Sequence, residues 1–256
     1  MVALIFAIQI FQIFLPKKKM YINLVIYIYT FILLLSLVLY TKYLWTKEKL
    51  YKIPTKNLYR DNIKTGDIFL LDWQRYNNIF ISSLFDNSFM HPSIALWEKG
   101  DLYIIELINY FGTDKYKGLI KIPFNKWYRI NKKAIFLYNS LSIKDEKNSN
   151  KDLRKELSEK ILDFYHEYKG SIDQPAGLGR DWLRFWYPQK EYQKIKNFDS
   201  IICTEIIAFM LKEVEIAEKD KSVESYTPDS FIGMKKFKIK NPYMYKEHFL
   251  VRLNEL

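Results

Sequence analysis

Residues 20–40 read MYINLVIYIYTFILLLSLVLY, with one Asn and no charge. As a helix at about 1.5 Å per residue, 21 residues cover the roughly 30 Å hydrocarbon core of a bilayer. The other home for such a stretch is a buried core helix. Lysines on both flanks and aromatic residues at its ends (Tyr40, Tyr43 and Trp45) favour a transmembrane helix with an interfacial belt. Residues 2–15 are apolar too, but too short to span, and are expected to lie at or partly in the membrane. Lysines precede and follow the span in nearly equal number, so the positive-inside rule sets no orientation.

This segment also explains the charge. The chain of 256 residues carries a formal +11, which invites a nucleic-acid reading. Seven lysines and one glutamate in residues 1–53 hold more than half of that excess, beside the apolar stretch, where anionic lipid headgroups would meet it. No nucleic-acid motif accompanies it, so no nucleic-acid partner is expected. The partner implied is membrane lipid. The remaining chain is long enough for one sizeable domain. The expected division is a membrane anchor over 1–45, a charged linker over 46–62, a domain over 63–240 and a tail over 241–256.

Within the domain, Asp199-Ser-Ile-Ile-Cys-Thr-Glu-Ile206 opens a helix. Asp199 or Ser200 can cap it, and apolar residues at Ile202, Ile206, Phe209, Met210 and Val214 give it a buried face. Cys203, the only cysteine, falls in its first turn, where the helix dipole favours a thiolate. A lone cysteine among Ile and Met is also an ordinary small core residue. Upstream, Met90-His-Pro-Ser-Ile-Ala-Leu-Trp97 reads as a strand with His91 at its start. A turn at 98–101 leads to a second strand, Leu102 to Ile108, whose single charge is Glu106. A buried carboxylate is costly unless paired, and His91, one strand away, is its natural partner. Further strands are expected at 117–123, 133–138 and 235–239, and an amphipathic helix at 151–168. Asp67 is read as a turn residue and Glu205 as structural. His166 and His248 have no metal-ligand spacing to neighbours, so no metal and no cofactor are expected.

Five motifs occur in order: Thr65-Gly-Asp-Ile-Phe-Leu-Leu71, His-Pro-Ser-Ile-Ala, Ile-Glu-Leu, Cys-Thr-Glu-Ile, and Tyr226-Thr-Pro-Asp-Ser-Phe231. Together, over roughly residues 60 to 235, they resemble the circularly permuted branch of the NlpC-type papain-like hydrolases, the YiiX and YaeF group. The resemblance implies an α+β, papain-like domain with an antiparallel sheet and a packed catalytic helix. It implies Cys203 as nucleophile, His91 as base and Glu106 as orienting group, acting through a thioester on a peptide amide or an acyl-lipid ester. One departure concerns the oxyanion hole: where the family often has a Tyr after a Gly, Gly170-Ser-Ile-Asp173 has Ile172. The reading from another class is a catalytically inactive anchored module with a binding or structural role, in a viral particle for example. The segment at 73–89 would shape the cleft, and with the aromatic stretch at 182–192 and the anchor it suits a lipidic or membrane-near acyl substrate.

Overall fold

The computed structural model describes residues 18–51, 53–72, 89–109, 117–131, 134–144, 152–169 and 201–253. The two aromatic stretches at 73–89 and 182–192, the Gly170–Asp173 segment, residues 2–15 and the capping residues Asp199 and Ser200 fall wholly or almost wholly outside them.

Helix α1 runs from Lys18 to Tyr51. It contains a 19-residue window, Leu24–Lys42, that is long and apolar enough to cross a membrane, and no part of that window is buried. Three of its hydroxyls bond within the helix. Thr30 donates to the Ile26 carbonyl at 2.8 Å, Ser36 to Ile32 at 2.8 Å and Thr41 to Val38 at 2.9 Å. Hydroxyls satisfied in this way do not oppose placement in a medium that offers no hydrogen bonds.

The domain is a mixed α+β structure around one sheet. Its strands are β1 (Thr55–Leu58), β2 (Ile68–Asp72), β3 (Phe89–Glu98), β4 (Asp101–Asn109), β5 (Lys117–Pro123), β6 (Phe136–Ile143) and β7 (Tyr243–Leu253). They lie in the order β1-β7-β6-β2-β3-β4-β5 among the described residues. All pairs are antiparallel except β1 with β7, which is parallel. Helices α2 (Phe124–Asn131), α3 (Leu153–Tyr168) and α4 (Cys203–Glu213) complete it.

The sheet is buried on both faces. Ile68, Leu70, Ile94, Leu96, Ile105 and Leu107 point to one side, where α3 and α4 cover them. Phe69, Ala95, Ile104, Phe136 and Tyr138 point to the other, against Phe124 and Trp127 of α2. This is the period-two alternation of a strand, with both halves apolar. Helix α4 is apolar nearly all round, and it packs against both the sheet and α3. Its Phe209 meets Phe164 and Tyr168 of α3 at ring distances of 5.4 and 5.3 Å. The one lysine in its buried stretch, Lys212, donates to Asp220 at 2.9 Å and to the Glu218 carbonyl at 2.6 Å.

Several boundaries differ from the expectation. The supposed linker over 46–62 contains the end of α1 and the strand β1. The supposed tail over 241–256 is mostly β7, paired to β6 from Phe136–Val251 to Ile143–Tyr243. Its charges misled the reading: Lys246 is exposed, while Phe249, Leu250 and Val251 are buried. The strand expected at 235–239 is a turn with one bridge, Ala217–Ile239. The strand expected at 133–138 begins at Phe136 and runs on to Ile143, five residues past its expected end. The sheet is thus mixed, not wholly antiparallel.

Asp67 is more than a turn residue. Gly66, at φ +91°, turns the chain where a Cβ would stand 2.3 Å from the Leu141 side chain. The turn drives Asp67 into the interior, fully buried. Its carboxylate accepts from the Lys64 amide at 2.7 Å, the Leu141 amide at 2.8 Å and the Tyr138 hydroxyl. It thereby ties the start of β2 to β6. Burial raises its pKa to about 6 against the pull of those donors. The folded state therefore holds this proton more tightly than the unfolded chain. The resulting stability is present below about pH 4 and is lost as pH rises through about 6, a loss of about 3 kcal/mol for a shift of this size. Thermal melts should show stability falling from pH 4.5 to 6.5, and the slope should flatten in Asp67→Asn.

Candidate active site

The three residues singled out in the sequence come together. His91 is the third residue of β3, and Glu106 lies on the neighbouring β4. His91 Nε2 stands 3.2 Å from Glu106 Oε2. Glu106 is 5% exposed. The imidazole also hydrogen-bonds the side chain of Cys203, the first residue of α4. Since Nε2 serves Glu106, Nδ1 is the ring nitrogen left to serve the sulfur.

The sheet geometry explains how residues from two layers meet. By strand alternation, His91 shares a face with Ser93 and Ala95, and Glu106 shares that face with Ile104. That is the face covered by α2. Cys203 packs with the cluster on the opposite face, under α4. Pairing of β3 with β4 runs from Glu98–Asp101 to Ile94–Ile105 and stops there. The Ala95 amide donates to the Asp67 carbonyl at 2.9 Å, so odd-numbered amides of β3 face β2 and even-numbered ones face β4. The next rung toward β4 belongs to residue 92, and Pro92 has no N–H to offer. The ladder ends beside His91, whose imidazole bonds Cys203 at the start of α4.

Helix α4 begins sharply at Cys203. The expected caps, Asp199 and Ser200, are outside the described residues. At the N-cap position stands Ile202, whose side chain accepts nothing, and Glu205 supplies what it lacks. Its carboxylate accepts from the Ile202 amide at 3.1 Å. Glu205 therefore closes the N-terminus of its own helix, as the second half of a capping box does. It fixes the turn that carries the sulfur.

A further residue was not anticipated. Trp127 of α2 donates its indole N–H to Glu106 Oε2 at 3.3 Å. It is 1% exposed and packed among Phe69 (5.3 Å), Phe136 (4.9 Å) and Phe124 (6.0 Å). The available signal was the lone Trp in FNKWYRIN, on the same face as Phe124 at a spacing of three. The other two histidines take no part: His166 is exposed on α3, and His248 lies on β7 with its pKa lowered by burial and by Lys235.

Burial works against a charge on His91. The hydrogen bonds and charges of Cys203 and Glu106 outweigh it and push the imidazole pKa up to about 10. The site is thus electrostatically built to hold a proton on its histidine.

No family model matches this chain, and no curated protein matches it. Among solved structures it is similar to the crystal structure of the metalloprotein yiiX from Escherichia coli O157:H7. The identity is 14%, the match covers 61% of this chain and 71% of that one, and the TM-score is 0.39.

A raised histidine pKa has a measurable consequence. His91 binds its proton more tightly when folded, so its stabilising contribution is complete below about pH 6.5 and disappears as pH rises through about 10. Thermal denaturation should show a loss of stability between pH 8 and 10.5. The loss should be smaller in Glu106→Gln and smaller again in His91→Ala.

Proposed function

We propose that this chain is a cysteine-dependent hydrolase of papain-like, circularly permuted NlpC-type architecture, anchored in a membrane by α1. The observation that carries the reading is the hydrogen-bonded series Cys203, His91, Glu106, drawn from a helix N-terminus and two neighbouring strands. A nucleophile, a base in contact with it and a third group that orients the base are the parts required for acyl transfer.

The steps follow from those parts. Cys203 gives its proton to His91, and the thiolate attacks the carbonyl carbon of an amide or ester. The electron pair of the C=O bond moves to oxygen. The backbone amide of Cys203, at the N-terminus of α4, faces that oxyanion. The tetrahedral adduct collapses to a thioester as the C–N or C–O bond breaks, and the imidazolium of His91 protonates the departing amine or alcohol. His91 then takes a proton from water, and the hydroxide attacks the thioester. The C–S bond breaks, the carboxylic acid leaves and the thiolate regains its partner. Glu106 holds the ring throughout so that Nδ1 faces sulfur and Nε2 faces the carboxylate. No metal or organic cofactor enters these steps. The substrate is a peptide amide or an acyl-lipid ester, and the anchor favours one presented near the membrane.

The opposing reading, an inactive module that keeps the fold, has a distinct signature. With a single cysteine in the chain, alkylation reports on Cys203 alone. Iodoacetamide at pH 7 should modify it at least about tenfold faster than it modifies the denatured chain, an advantage of more than 1.4 kcal/mol. His91→Ala should remove that advantage, and Glu106→Gln should reduce it by less, because an amide oxygen still accepts from Nε2. Equal rates in folded and denatured protein would leave the inactive module standing. Thiol-directed acyl probes of peptide-like and lipid-like type, applied in detergent, decide between the two substrate classes. Alkaline carbonate should leave the full chain in the membrane pellet, and its release would refute the anchor.

A further inference from the structure

We infer that Trp127 is a positioning residue of this site, holding Glu106 in line with His91 through its indole N–H. The inference rests on the hydrolase reading for its meaning and on three observations for its content. The first is that both donors, His91 Nε2 at 3.2 Å and Trp127 Nε1 at 3.3 Å, reach the same carboxylate atom, Oε2. The second is that the indole can only donate. The indole makes Oε2 an acceptor, and the hydrogen bonds and charges around His91 keep a proton on the imidazole beside it. The shared proton therefore belongs to His91 Nε2, and Nδ1 is the nitrogen available to Cys203. Trp127 thus sets which ring nitrogen faces the sulfur, although it touches neither.

The third observation is what the ring does not need. Phe69, Phe124 and Phe136 surround it at 4.9–6.0 Å, an apolar cage that a phenyl ring would also satisfy. A tryptophan buried in such a cage must find an acceptor for its N–H. Here the acceptor is the one ionisable carboxylate on β4 that faces the histidine. The cage in turn fixes the indole, and the fixed indole limits the carboxylate to one orientation. Without the N–H, Oε2 can swing from Nε2, and the imidazole loses part of its partner. The charged and titratable groups that bear on His91 are Cys203 and Glu106, and Trp127 acts through the second.

The test is a titration of His91 by NMR in the full chain, with isotope-labelled histidine in detergent micelles. In the parent protein His91 should titrate near pH 10. In Trp127→Phe its pKa should fall by about one unit, the size expected for one hydrogen bond to a charged group. In the Glu106→Gln background the same Trp127→Phe change should move it by less than about 0.3 unit, because the group it acts through is gone. A residue that only fills the core would give the parent value in Trp127→Phe, or an equal shift in both backgrounds. Either result overturns the inference. Should the phenylalanine variant fail to fold, β-(benzothiophen-3-yl)alanine at position 127 keeps the fused ring, lacks the N–H and carries the same two expectations. Turnover of p-nitrophenyl acetate adds a second reading: kcat should fall about tenfold with KM nearly unchanged. The titration does not depend on turnover. A coupled titration in a protein that never acylates Cys203 would sink the hydrolase reading and leave the positioning role in place. Acylation with an uncoupled titration would do the reverse.

Discussion

A carboxylate in the middle of a β-sheet has to be paired, and the pairing of Glu106 with His91 organises this domain. Isolated, an ion in that environment costs several kcal/mol. It survives because an imidazole from β3 and an indole from α2 converge on one of its oxygens. The imidazole is then committed at Nε2 and presents its other nitrogen to the helix start. The helix start is fixed by Glu205, and the opening between strands is made by Pro92. Each of these is a local solution to an unsatisfied backbone or side-chain group. Together they bring a sulfur, an imidazole and a carboxylate from three elements into one line.

The second buried carboxylate, Asp67, does a different job with similar means. Three donors hold it, none of them positively charged, and it joins β2 to β6 at the centre of the sheet. Its burial raises its own pKa, so it opposes folding as it ionises. Glu106 gains an imidazolium for a partner, whereas Asp67 gains hydroxyl and amide dipoles. The first arrangement suits chemistry and the second suits architecture.

Much of this was legible in the chain. The single charge in Leu102–Ile108 required a partner, and the only histidine at a strand start one turn away supplied it. The apolar length of 20–40 predicts a helix, and the hydroxyls of Thr30, Ser36 and Thr41 bond back to carbonyls of the preceding turn. What stayed hidden depends on contacts distant in sequence. β7 carries Lys246 at an exposed position and further charges along its length, so it reads as a tail until its pairing with β6 and β1 is seen. β1 has only four residues, and its partner lies about 195 positions away. Asp67 follows a glycine, and a Gly-Asp pair reads as a turn. Only the depth of Leu141 and Tyr138 above it shows that the turn delivers a buried anion. Trp127 carries no such signal, because nothing in FNKWYRIN points to an acceptor on a strand 21 residues earlier.

The central claim is that Cys203 forms and then loses an acyl thioester with the help of His91. The most direct measurement is rapid-quench intact mass spectrometry of the full chain mixed with p-nitrophenyl acetate. The account predicts a burst: one acetyl group on Cys203 within the first turnover, then steady release, with no acetylation at that position in Cys203→Ser and no release in His91→Ala. Acetylation of Cys203 no faster than that of a free thiol, or an acetyl group that stays on the protein, would contradict it.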